Sequence, residues 1–166
     1  ENFLKRMVIE HYMTGRKQEA YRFWQYLVER YGHKADYKEK FEPWVRKEFQ
    51  TYVRDMSATQ ATQIVHGALI MHFLYLGCNQ DELAAEQLRF ARAIVEYNNA
   101  DADGMDRITI PYQRVREQVL MQIFVGMVEF PPAVMENLRT RLGPEAERII
   151  EKVKQLIEQE RRTLER

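Results

Sequence analysis

The pattern with the clearest chemical content is Asn99-x-Asp101-x-Asp103-Gly104, in the run NNADADGMDR. Oxygen donors at alternate positions followed by glycine are how an EF-hand loop begins: the donors converge on Ca2+ and the glycine makes the sharp turn. The second half of the loop departs from that pattern. Position eight carries Asp106, and position twelve, where a bidentate Glu normally completes the shell, carries Ile110. The run therefore reads as a weak metal site through Asn99, Asp101, Asp103 and Asp106, set against a solvated turn built of the residues turns favour.

The remaining donors do not assemble into a motif. A di-iron carboxylate bundle needs Glu-x-x-His on facing helices, so that both groups reach one ion from one side. No Glu in this chain has a His three residues on. His66 and His72 stand six apart, about 240° around a helix, which keeps them from chelating one ion and reads as two packing histidines. There is no Gly-rich phosphate loop, nucleophile elbow or HExxH pair. The chain is expected to be non-enzymatic, with no catalytic residue and no cofactor. The lone Cys78 excludes an internal disulfide and fits a reducing, cytoplasmic setting.

Aromatic and basic residues are concentrated together near the start. Of the 19 aromatics, 12 lie in residues 1–56, a stretch holding 12 Lys/Arg against 9 Asp/Glu. Aromatic faces stack on unpaired bases while Lys and Arg meet phosphates, so Arg22, Tyr26, Arg30, Lys38 and Arg46 form a candidate nucleic-acid surface. Trp24, Phe23, Trp44 and Phe49 fall on apolar stripes and read as core, whereas Tyr21, Tyr26, Tyr31 and Tyr37 read as surface. The whole chain has 25 basic and 25 acidic residues and no net charge, so no global field recruits a polyanion.

The elements that must position these residues are helices. Apolar residues recur at spacings of three and four throughout, and no stretch alternates as a strand does. The expected fold class is all-α: one domain over residues 1–166, a pack of about seven to eight helices around a central apolar helix at 57–76. A first helix over 2–14 ends at Gly15, and a second runs to Gly32. Pro43 marks a fresh helix start, since proline is tolerated only in a first turn. Ser57 with Gln60 reads as a capping box, and Asn79 with Glu82 repeats that logic for a fifth helix. The sixth carries Tyr112, Val115, Val119, Ile123, Met127 and Phe130 on one stripe as far as Pro131. A short seventh precedes Gly143, and Pro144 opens the last.

That last helix carries Ile149, Ile150, Val153, Leu156 and Ile157 at coiled-coil-like spacing, flanked by Glu, Lys and Arg. It is the expected partner-binding element. The reading that follows is a helical protein–protein interaction module or assembly subunit, homo-oligomeric or bound to another protein. A nucleic-acid-binding domain using residues 1–56 is the alternative, and a small-ligand or cofactor-binding helical domain beside His66 is the second. The longest apolar run, 64–76, contains two histidines and is too short to span a bilayer, so no membrane insertion is expected. Glu1 at the start in place of Met reads as a trimmed chain or fragment.

Overall fold

The computed structural model describes residues 1–100 and 108–164. Within them the chain is all-helical, a single bundle of eight α-helices with one short 3-10 turn. In chain order these are α1 (Asn2–Met13), α2 (Lys17–Tyr31), the 3-10 turn (Ala35–Lys38), α3 (Phe41–Arg54) and α4 (Ala58–Gly77). There follow α5 (Asp81–Ala100), α6 (Tyr112–Val125), α7 (Pro132–Leu142) and α8 (Pro144–Leu164).

Helix α4 holds the main core together. Its buried residues Ala61, Val65, Ala68, Leu69, His72, Phe73 and Gly77 recur at helical spacing and meet α5, α6 and α7. Around them close Ala91 and Ile94 of α5, Val119 and Ile123 of α6, Leu138 of α7 and Ile149 of α8. The capping box that opens α4 is complete: Gln60 N–H donates to Ser57 Oγ at 3.2 Å and Ser57 N–H to Gln60 Oε1 at 2.9 Å.

A second, smaller core joins Val8 of α1, Ala20 and Leu27 of α2, Tyr37 of the 3-10 turn, and Trp44 and Val45 of α3. Helices α1 and α3 serve both cores. Val8 faces the small one and its neighbour Ile9 the large one, and α3 divides in the same way between Trp44 and Phe49. Pro43 occupies the first turn of α3, where its missing N–H leaves no internal bond unmade.

Three local expectations are corrected. Asn79 does not cap α5; it sits at φ 58 and closes α4. The N–H of Asn79 reaches Leu76 O at 3.2 Å and that of Gln80 reaches Tyr75 O at 2.9 Å, the paired bonds of a Schellman ending. Gly77 is the last residue of α4, packed on Val134 of α7. Helix α6 ends at Val125 because Gly126 turns left-handed at φ 84, which leaves Met127 73% exposed beyond the helix. Tyr37, expected at the surface, is 3% exposed, because the 3-10 turn folds it back against Tyr31 and Trp44.

Candidate functional site

Helix α8 begins inside the molecule and ends outside it. Ala146, Ile149 and Val153 are buried against the body. Arg116 of α6 clamps the first turn, its Nη1 on Glu145 Oε1 and its Nη2 donating to Oε2 at 2.9 Å. The same guanidinium lies 5.4 Å over the Phe73 ring of α4, so one side chain ties three helices together. The fork holds the Glu145 carboxyl below its ordinary range. One turn on, Glu117 of α6 takes Lys152 at 3.1 Å and Arg148 at 3.2 Å.

From position 154 onward every residue whose side chain is described is exposed. The apolar stripe nevertheless continues. Ile149 is fully buried and Val153 is 7% exposed, while Leu156 and Ile157, three and four residues further, are 40% and 45% exposed. The five stripe residues thus split: Ile149 and Val153 root the helix, Ile150 is half-buried, and Leu156 and Ile157 are accessible.

The aromatic and basic candidates form two groups. Arg22, Tyr26 and Arg30 share one exposed face of α2, spaced by four, and Arg30 Nη1 donates to Tyr26 Oη at 2.8 Å. Arg46, on α3, lies apart from them in an open cleft with Tyr12, Lys17, Glu42 and Lys47. There Tyr12 Oη donates to Glu42 at 2.5 Å, and Lys17 sits 5.6 Å over the Tyr12 ring. Lys38 is exposed on the 3-10 turn. Trp44 and Phe49 are core, as their stripes predict, and Tyr21 and Tyr26 are more than two-fifths exposed.

Of the acidic-loop candidates, Asp101, Asp103 and Asp106 lie outside the described residues. Asn99 is described, and its amide is engaged. Its Oδ1 accepts from Ile110 N–H at 2.8 Å and from Asn98 Nδ2 at 3.3 Å, and its Nδ2 donates to Ile110 O at 3.2 Å. Both lone pairs of that oxygen are taken, and the two bonds to Ile110 fasten the end of α5 to the approach of α6. Among the described residues no group of three or more His, Cys, Asp or Glu side chains is placed to hold a metal ion.

Both α4 histidines are bonded inside the helical bundle. His66 Nε2 donates to Gln122 Oε1 at 2.7 Å, and His72 Nδ1 to Ala84 O at 2.8 Å. Burial keeps His72 below its ordinary pKa, against the raising effect of that carbonyl.

A further feature has no signature in the sequence. Where the turn after α1 crosses α4 and α5, a cavity of about 300 Å3 opens. Its apolar floor is Ile9, Met13, Ile64 and Phe90, and Arg6, Glu10 and Arg16 stand at its mouth. These residues come from helices far apart in the chain, and only Gly15, at φ 83, hints at the tight turn that gathers them.

Comparison with protein-family models, with curated proteins and with solved structures gives no match. Among the described residues no helix is long and apolar enough to cross a membrane.

Proposed function

We propose that the chain is a non-enzymatic helical interaction module that docks protein through the outer half of α8. The observation that carries the reading is the apolar stripe of α8 leaving the core: Leu156 and Ile157 extend the line of Ile149 and Val153 into solvent. A helix rooted by buried residues and a forked ion pair loses little conformational freedom when a partner binds, which lowers the entropic cost of association. An amphipathic helix presenting residues at this spacing fits a groove or a second helix. The partner is a second copy of the chain or another protein, and the free, exposed Cys78 suits a cytoplasmic setting.

A photo-crosslinking residue at Ile157 tests the proposal in cells. The expected result is one discrete adduct that is lost when the same group is moved to Gln155, and no adduct from Ile157 overturns the reading.

A second reading, binding of single-stranded nucleic acid, is favoured by the aligned Arg22, Tyr26 and Arg30 on α2. It requires affinity for an oligonucleotide that falls steeply with salt and weakens when Tyr26 becomes Ala. Binding that is absent, or indifferent to salt, removes it.

A further inference from the structure

We propose that the cavity under the turn after α1 binds a small monocarboxylate with an apolar tail. The volume, about 300 Å3, stands at the lower end of the range for ligand pockets, roughly 300–1,000 Å3, and suits a chain or ring of a few carbons.

The walls sort by chemistry. Ile9 belongs to the main core, and Met13, Tyr52, Ile64 and Phe90 pack against that core while remaining partly open. Four helices, α1, α3, α4 and α5, thereby contribute an apolar lining that favours a hydrocarbon tail.

The mouth supplies the opposite preference. Arg6 Nε is paired with Glu10 Oε1 at 2.8 Å, whereas Arg16 has no carboxylate of the described residues within ion-pair distance, although the Glu86 carboxylate lies against the neighbouring Gly15. Arg16 is also pre-positioned. The left-handed turn at Gly15 brings it back over the end of α1, where its Nε donates to Thr14 Oγ1 at 3.3 Å. Thr14 Oγ1 is in turn fixed by donating to Glu10 O at 2.8 Å. No described residue accepts a hydrogen bond from the two Nη groups of Arg16. A guanidinium held by Nε with its fork unoccupied offers the geometry that takes a carboxylate through two parallel bonds. The apolar floor selects against a fully polar anion such as formate or phosphate.

The cavity shares no residue with α8, so ligand binding here and protein docking there stand or fall separately. The test is a titration of the full chain with octanoate, followed by methyl NMR of Met13, Ile9 and Ile64. Octan-1-ol, the neutral analogue with the same tail length, is titrated in parallel. The expected result is saturable shifts confined to those methyls, with octanoate at least about tenfold tighter than octanol, the factor of one charge-assisted hydrogen bond. Arg16→Gln, a change at an exposed residue that leaves the fold intact, then abolishes the preference while octanol binding is retained. Two results overturn the proposal: no saturable shift at Met13 and Ile64, or an octanoate preference that survives Arg16→Gln. An Ile64→Phe variant that fills the floor provides a second check, since it weakens both ligands together if they share this cavity, and unchanged binding in that variant also overturns it.

Discussion

A Cβ on Gly77 would stand 2.6 Å from Val134 Cγ1 and 2.7 Å from the Val134 carbonyl oxygen, so α4 and α7 approach as closely as they do only because this residue has no side chain. The contact is reinforced by Asn137 of α7, whose Nδ2 donates to Gly77 O at 3.2 Å. Gly67, ten residues earlier in the same helix, has nothing within 4 Å of its added Cβ. Alanine at the two positions is predicted to act with opposite sign. Gly77→Ala should destabilise by about 1–3 kcal/mol through overpacking against backbone, and Gly67→Ala should stabilise by about 0.5–1 kcal/mol through helix propensity alone. Urea denaturation of the two variants reads both, and a neutral Gly77→Ala would show that α7 can slide.

The forked pair of Arg116 and Glu145 gives a second prediction. Its side chains are 22% and 31% exposed, so it is worth more than a surface pair. Glu145→Gln should cost about 1.5–3 kcal/mol, the range for hydrogen bonds to charged groups. The folded state holds the Glu145 carboxyl below its ordinary value near 4.5. Its contribution is therefore complete above that value and is lost as pH falls through the lowered one. Melting curves from pH 7 to pH 3 should show the wild type losing this increment and the Gln variant lacking it throughout.

His72 predicts a separate acid sensitivity at higher pH. Burial, with Arg116 and Arg92 adding to it, keeps the imidazole neutral in the fold below its ordinary pKa near 6.5. The unfolded chain then binds the proton first, so stability begins to fall as pH drops below about 6.5 and levels off once the folded ring also protonates. His72→Gln should flatten the pH dependence in that window, measured as the difference in unfolding free energy between pH 7.5 and pH 5.5. An unchanged slope would assign the effect to other groups.

Along α8 the predicted cost of substitution drops within two turns. Ile149→Ala should destabilise by about 2–5 kcal/mol, as for a buried aliphatic truncation. Ile157→Gln should change stability by no more than about 0.5 kcal/mol, as for a surface position. Deleting residues 158–166 should leave the melting transition in place. Unfolding of that truncated chain would make the outer helix part of the core and end the docking proposal.

What is legible in the sequence is local and periodic. Ser57 and Gln60 are three residues apart and satisfy each other, so their spacing alone announces the start of α4. Pro43 leaves a helix few positions in which to accommodate it. Asn79 misleads because asparagine serves two purposes: it caps the N-terminus of one helix and tolerates the left-handed ending of another. With only three residues between α4 and α5, only tertiary packing decides between them, and Arg141 of α7 settles the turn by reaching both Asn79 at 3.2 Å and Asp81 at 2.5 Å. Met127 and Phe130 keep the period of α6 after Gly126 has ended it, a coincidence of spacing that the glycine overrides. The split of the α8 stripe into root and outer end leaves no trace in the sequence, because periodicity identifies an apolar face and not the length over which the body covers it. The cavity at Arg16 lies further still from sequence reach, since its lining comes from four helices.

Helices α1 and α3 stand between the two cores like a shared wall between two rooms. Val8 and Ile9 are consecutive residues with different neighbours, and on α3 the two rooms succeed one another along the helix, Val45 in one standing about one turn before Phe49 in the other. A change of side-chain volume on either side shifts the helix axis that both sides pack against. Substitutions at adjoining positions of the wall, Val8 and Ile9 above all, should consequently be non-additive, and a designer wishing to repack either room must treat the wall as a fixed boundary.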